Sequence, residues 1–107
     1  MTAESCVVDA KVLVLRARVD DGIAMSFAPL HYRSMVLVEL RTDDGCVGYG
    51  ESWVNFPSWA PIERVATLRE GVFPLIMGKD IRDIAQIHHD LKAGLEPIGR
   101  QWGAIGL

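Results

Sequence analysis

A predicted β-hairpin over residues 34–51 constrains the fold more than any other part of the chain. Positions 34–41 alternate apolar with polar side chains, which is typical of a strand with one buried face. The segment Thr42-Asp43-Asp44-Gly45 follows, and Asp and Gly tolerate the left-handed backbone that a tight turn needs. Positions 46–51 then return as the partner strand, in which Gly48 and Gly50 predict a bulge or a close backbone approach. The buried face of the first strand would carry Val36, Val38 and Leu40.

Another strand is predicted upstream, over residues 7–19, where Val and Leu dominate. From position 13 onward its odd-numbered residues are all apolar, whereas the even-numbered residues turn polar along the strand. The apolar set is Leu13, Leu15, Ala17 and Val19, and the other set is Val12, Val14, Arg16 and Arg18. We therefore predict a strand with one buried face, formed by the odd-numbered set.

Two segments lack a clean periodicity yet carry large apolar side chains. Residues 20–33 form either a loop that packs back on the sheet or a mobile flap over a ligand. Residues 52–61 either fill the join between sheet and helices or line a pocket mouth or a partner surface. The large apolar side chains are Ile23, Met25, Phe27 and Leu30 in the first segment, and Trp53, Phe56 and Trp59 in the second.

The rest of the sequence predicts two helices, each with an apolar stripe. Pro61 suits a first helical position, and we expect this helix to end near Val72 because Gly71 and Pro74 follow or flank that point. The first stripe is Val65, Leu68, Val72 and Leu75. Because the strands precede the helices, the predicted fold class is α+β.

The second helix has candidate signals at both ends. Asp80 is the expected N-cap, with Asp83 three residues later, and Gly94 and Pro97 would end the helix. Its stripe is Ile81, Ile84, Ile87 or His88, Leu91 and Leu95.

Length, charge and cysteine content exclude several classes of protein. The 107 residues suit one small domain and fall below half of a (β/α)₈ barrel, which needs about 250 residues. The 11 Lys and Arg residues are scattered among 14 Asp and Glu, so nothing favours nucleic-acid binding. Neither a signal peptide nor an apolar run long enough to span a bilayer is visible. We expect a cytoplasmic protein with reduced thiols and without nucleic-acid or membrane partners.

None of the reactive side chains completes a catalytic or metal-binding pattern. Adjacent His88 and His89 would point about 100° apart on a helix, so they could not share an ion as i, i+4 pairs do. His31 is either a substrate contact or an exposed loop residue, and Asp43 and Asp44 suit a turn better than a metal site. We therefore expect no catalytic residue and no metal ligand in this chain.

Three segments in this order resemble a known family. They are Met35-Val36-Leu37-Val38-Glu39-Leu40, the stretch 42–51 ending in Gly-Tyr-Gly-Glu, and Pro74-Leu75-Ile76-Met77-Gly78-Lys79-Asp80. Together they resemble the N-terminal capping domain of the mandelate racemase/muconate lactonizing enzymes, in the enolase superfamily. The resemblance covers Val7 to Leu107. It implies one domain over residues 1–107, a three-stranded antiparallel β-meander followed by a small helical bundle whose last helix is truncated.

The resemblance also implies a division of labour between two domains. In this family a barrel domain holds Mg²⁺ on acidic side chains, and a Lys or His base removes the proton α to a carboxylate. The reactions are racemisation, dehydration or cycloisomerisation. Two cap loops close over the barrel mouth, and by position they are Asp20–Arg33 and Glu51–Pro57 here. The residues expected to exclude water and select the substrate are Ile23, Met25, Phe27, Trp53, Val54, Asn55 and Phe56.

Family members continue into the barrel, so the expected partners are a barrel domain that this chain lacks, a small carboxylate substrate and further copies of the protein. We expect a fragment of a metal-dependent isomerase or lyase, or a cap-only protein, that is inactive alone. The alternative is a stand-alone α+β module that self-associates through exposed Trp53, Phe56 and Trp59. A small autonomous enzyme built on the histidines is the third hypothesis.

Overall fold

Three strands precede the helices, as predicted. The computed structural model describes residues 5–18, 32–54 and 57–98. The strands are β1 (Val7–Arg18), β2 (Tyr32–Thr42) and β3 (Val47–Glu51), which form one sheet in the order β1-β2-β3 with antiparallel neighbours. The helical part comprises α1 (Ala60–Ala66), a π-helical segment (Thr67–Val72), α2 (Phe73–Ile76) and α3 (Ile84–Gly94). The predicted α+β meander with a helical bundle is therefore confirmed.

The hairpin between β2 and β3 has the predicted turn. Gly45 adopts a φ of 88°, the left-handed conformation that an L-residue with a side chain rarely takes. The bulge or close approach predicted at Gly48 and Gly50 is wrong. Their pairing with Leu40 and Val38 shows no register shift, and a Cβ at either glycine would meet no atom of the described residues within 4 Å.

The buried face of β1 is the opposite of the predicted one. Val12 is 9% exposed, whereas Leu13 and Leu15 are 42% and 52% exposed. Val12 lies opposite Val38 of β2, and directly opposed residues of an antiparallel pair share one face. Because the helices pack on the face of β2 that carries Val36, pairing brings Val12 to that inner face and leaves the odd-numbered set outside.

The first helical segment extends past its predicted end. It begins within one residue of the prediction, with Pro61 in its first turn, but continues through Pro74 to Ile76. The backbone N–H of Phe73 donates to the carbonyl of Leu68, five residues back, so the helix widens just before the proline. Proline lacks an N–H and its ring crowds the preceding turn, and the widened turn lets the chain continue helically.

The start of α3 also differs from the prediction. The helix begins at Ile84 with Asp83 at the N-cap position, so Asp80 does not cap it. Instead the Asp80 carboxylate accepts from the Arg82 backbone N–H at 2.9 Å and from Arg82 Nη2 at 2.6 Å. Asp80 therefore organises the turn before the helix. The predicted end at Gly94 is confirmed.

The core lies between the inner sheet face and the helices. Its buried residues are Val12, Val36, Val54, Ala60, Leu68, Val72, Phe73 and Ile76, and Ile87, Leu91 and Leu95 of the second predicted stripe pack against them. Within the described ranges, none of the helices combines the length and apolar character that crossing a bilayer would require.

Candidate functional site

The predicted substrate-contacting residues fall into two groups in the structure. Trp53 and Val54 are described and lie directly after β3. Ile23, Met25, Phe27, Asn55 and Phe56, as well as His31, lie outside the described residues. The candidate site therefore consists of the segment that leaves β3 and enters α1.

Ser52 anchors this segment to both layers of the fold. Its backbone N–H donates to the carbonyl of Val36 at 2.8 Å, which holds the end of β3 against the middle of β2. Its side-chain Oγ accepts a hydrogen bond from Arg64 Nη1 on α1. Ser52 is 7% exposed, so the serine at this junction between sheet and helix is buried, whereas Arg64 is half-buried.

The next two residues point in opposite directions. Trp53 is 59% exposed, whereas Val54 is 9% exposed and belongs to the core cluster. This alternation follows from the extended backbone, in which successive side chains face opposite sides. The core contact of Val54 and the hydrogen bonds of Ser52 thus hold Trp53 between two fixed points and present its indole to the outside.

Further apolar side chains are exposed where α1 begins. Trp59, at the N-cap position of α1, is 51% exposed and Ile62 is 73% exposed. The carbonyl of Pro57 accepts from the backbone N–H of Ala60 at 2.9 Å, which fixes the turn that carries Trp59. These side chains offer apolar contact area and no titratable group, so they can exclude water and shape a cavity but cannot transfer a proton.

Sequence reasoning did not identify the roles of Ser52 and Arg64. From the sequence, Ser52 can be tested only as a nucleophilic serine. It fails that test, because Gly50-Glu51-Ser52-Trp53 lacks the G-x-S-x-G frame. The two partners are twelve residues apart in the chain and lie on different elements. No local spacing rule links a strand end to the second turn of the following helix, so only the tertiary structure shows the pair.

The titratable residues considered in the sequence do not form a catalytic or metal-binding group in the structure described. The Asp44 carboxylate accepts hydrogen bonds from Ser5 Oγ at 2.6 Å and from Thr42 Oγ1, and these bonds lower the pKa of Asp44 from 3.8 to about 2. His88 and His89 are exposed on α3. Among residues 5–18, 32–54 and 57–98, no group of three or more His, Cys, Asp or Glu side chains could hold a metal ion. These residues therefore do not fit a magnesium site.

A family model matches almost the whole chain. The model describes the mandelate racemase/muconate lactonizing enzyme N-terminal domain, and it matches residues 7–105. The chain belongs to this family. The resemblance seen in the sequence is thereby confirmed, and the meander followed by helices is the capping-domain fold of the enolase superfamily.

Solved structures of this family share the fold of the chain. A mandelate racemase/muconate lactonizing enzyme from Bordetella bronchiseptica RB50 is 30% identical, with a TM-score of 0.71 over 94% of this chain. An L-talarate/galactarate dehydratase from Salmonella typhimurium LT2 is 19% identical, with a TM-score of 0.76 over 91% of this chain. At this identity the likeness shows only that the two share a fold. No curated protein matches the sequence significantly.

The chain corresponds to only part of each relative. It covers 25% of the Bordetella protein and 25% of the Salmonella protein. A muconate cycloisomerase from Azorhizobium caulinodans is 22% identical, with a TM-score of 0.68. That match covers 88% of this chain and 23% of the relative. The capping domain thus spans about a quarter of the length of these proteins, which is consistent with the barrel domain being a separate segment.

Proposed function

We propose that this capping domain closes the active site of a larger mandelate racemase/muconate lactonizing-type enzyme and is inactive by itself. The observation that carries the proposal is the family match over residues 7–105 in a chain that spans about a quarter of its structural relatives. The described residues offer exposed apolar side chains after β3 and no metal-binding cluster, which suits a lid rather than a reaction centre.

In this proposal the larger enzyme is a metal-dependent isomerase or lyase that acts on a small carboxylate. The barrel domain would supply the magnesium ligands and the base that removes the proton α to the carboxylate. We place the enzyme in the cytoplasm, a reducing compartment that keeps the thiols of Cys6 and Cys46 reduced. We further propose that the protein forms a homo-oligomer.

The residues of the cap would act by excluding water and selecting the substrate. Trp53 is the described residue best suited to this role, because it is exposed while its neighbours Ser52 and Val54 are fixed. Val54 would contribute by anchoring the loop. Ile23, Met25, Phe27, Asn55 and Phe56 complete the proposed lid by their positions in the sequence. An apolar lid strengthens the electrostatic interactions beneath it because it displaces water.

The test begins with the coding sequence that follows Leu107. Expression of the chain together with that sequence should give an enzyme that exchanges the α-proton of small carboxylates with solvent deuterium in a magnesium-dependent way, measured by NMR. The 107-residue chain alone should show no exchange. Magnesium-dependent turnover by the purified 107-residue chain, or a stop codon directly after Leu107, would contradict the proposal.

A matched pair of variants in the longer enzyme tests the lid itself. Trp53→Ala should lower kcat/KM by about tenfold or more and change the preference between two carboxylates of different size, because a contact that selects the substrate is removed. Trp59→Ala removes an indole of similar exposure outside the proposed lid and should leave that preference unchanged. Equal effects of both substitutions would argue against a specific role for Trp53.

A self-associating interaction module is the second candidate. The specific observation in its favour is the number of large apolar side chains that the described part of the chain exposes, on the sheet as well as after β3. They include Leu15, Tyr49, Trp53, Trp59 and Ile62. Exposed apolar surface of this kind favours association. Under this alternative the chain would act through that association alone, and it would have no catalytic partner.

A further inference from the structure

The side of the sheet that faces away from the helices is apolar at its centre, carries four charged residues at one end and carries Arg33 at the other. We call it the outer sheet face, formed by Asp9, Lys11, Leu13 and Leu15 of β1 and by Met35, Leu37, Glu39 and Arg41 of β2. Leu13, Leu15 and Met35 are 42%, 52% and 40% exposed. The buried core residues of the same two strands, Val12 and Val36, lie on the other face. A contiguous exposed apolar patch with a polar border is typical of an interaction site.

The cross-strand register gives this face an unusual symmetry of charge. Lys11 lies directly opposite Glu39, and Asp9 lies directly opposite Arg41. The apolar positions are matched in the same way, since Leu13 lies opposite Leu37. Between Asp9 and Leu15, exchanging β1 with β2 would therefore place each charge over an unlike charge and each apolar side chain over another. Beyond Leu15 the same exchange places Arg33 over Ala17.

We propose that two copies of this chain associate through their outer sheet faces, about a two-fold axis. The axis lies between the two packed sheets, runs along the strands and passes over the gap between β1 and β2. This rotation lays β1 of one copy over β2 of the other at the same level. Lys11 then faces Glu39 of the second copy, Leu13 faces Leu37, and Leu15 faces Met35. The interface is self-complementary, as a two-fold contact must be.

The proposed contact agrees with the geometry of packed sheets. Aligned sheets pack about 10 Å apart at an angle of about 30°. We take the facing strands to cross at Leu13. At Lys11, two residues away, the angle then displaces one strand sideways from the other by about 3 Å, which is less than the strand spacing of about 4.8 Å. The long side chains of Lys11 and Glu39 span this offset. Glu39 already accepts from Tyr49 Oη at 2.7 Å, and a carboxylate has capacity for further donors.

The apolar centre would supply most of the free energy of association, and the charges would fix the orientation of the two copies. This inference is independent of the proposed lid, because it concerns the sheet and not the segment after β3. A failure of the association test would leave the α-proton exchange test unaffected, and the reverse also holds.

A charge-reversal experiment on the 107-residue chain tests the arrangement. Sedimentation equilibrium should show a dimer for the unaltered chain. Lys11→Glu puts a second carboxylate over Glu39 of the other copy at two symmetric places, and Glu39→Lys likewise opposes two lysines, so each variant should raise the dimer Kd by about tenfold or more. Mixing the two variants should restore association, because each acidic pair of one variant faces the basic pair of the other.

The mixing step separates contact between copies from effects inside one chain. Within each variant the like-charged pair on neighbouring strands remains after mixing, so restored association can come only from the interface. Lys92→Glu on α3 is the matched control and should leave Kd unchanged. A monomer at all concentrations, charge reversals without effect, or no recovery on mixing variants shown by circular dichroism to be folded would each overturn the proposal.

Discussion

Arg64 Nη1 on α1 donates a hydrogen bond to Oγ of Ser52 at the end of β3. Ser52 in turn donates its backbone N–H to Val36 at the centre of β2. The pair therefore joins the helical layer to the sheet at the point where the chain leaves one for the other. The segment that carries Trp53 starts from this junction, so the position of the proposed lid depends on it.

Ser52→Ala should destabilise the domain by about 1–2 kcal/mol, because Arg64 loses this hydrogen-bond acceptor at a partly buried site. The free energy of unfolding in urea measures the loss. Ser58→Ala is the control, since Ser58 is exposed in the turn before α1 and should change stability by less than about 0.5 kcal/mol. Equal losses for the two variants would show that the junction contributes nothing specific.

Val54→Ala should lower the free energy of unfolding far more than Trp53→Ala. Val54 is in the core, so its truncation should cost about 2 kcal/mol through lost burial and a small cavity. Trp53 is exposed, and its removal should change the free energy of unfolding by less than about 0.5 kcal/mol. Thermal and urea unfolding of the 107-residue chain compare the two. A larger loss for Trp53→Ala would mean that the indole packs within the domain.

Asp44 should make the domain sensitive to acid. Its hydrogen bonds with Ser5 and Thr42 hold the pKa of Asp44 at about 2 instead of 3.8, so the contribution to stability is present above pH 3.8 and is lost as the pH falls through about 2. Ser5→Ala removes the largest cause and should raise the pKa of Asp44. NMR titration of the carboxyl carbon measures both midpoints.

The control for this titration is Asp80, whose pKa is lowered by its hydrogen bonds with Arg82. Its midpoint should not move in Ser5→Ala. A midpoint for Asp44 near 4 in the unaltered chain would refute the role given to the Ser5 hydroxyl.

Two glycines of the β2–β3 hairpin should respond oppositely to alanine. Gly45 has a φ of 88°, so Gly45→Ala strains the turn and should cost about 1 kcal/mol. Gly48 has open space where a Cβ would lie and lacks a positive φ, so Gly48→Ala should be neutral or stabilise by up to about 1 kcal/mol. Urea unfolding compares the two variants. A loss at Gly48 equal to that at Gly45 would indicate a close contact that the hairpin geometry does not show.

The sequence was sufficient for features that depend on neighbours along the chain. The turn at Asp43, Asp44 and Gly45 has local chemistry that few other conformations accept, and it fixed the hairpin. Spacing alone also identified Leu68 and Val72 as buried positions of one stripe, because residues four apart lie on nearly the same side of a helix even where it widens. The family resemblance rested on such local segments, and the family model confirms it.

Other features required the tertiary structure. Both faces of β1 carry apolar side chains, so the sequence could not show that Val12 and not Leu13 is buried; the pairing with β2 and the side on which the helices pack decided it. Proline at position 74 is a local stop signal, yet a widened turn upstream allows the helix to continue. The junction of Ser52 with Arg64 joins groups on different elements. The sequence by itself thus determined the elements and their order, through steric preferences of neighbouring residues. Only the tertiary structure determined which faces meet, because burial depends on what each surface packs against.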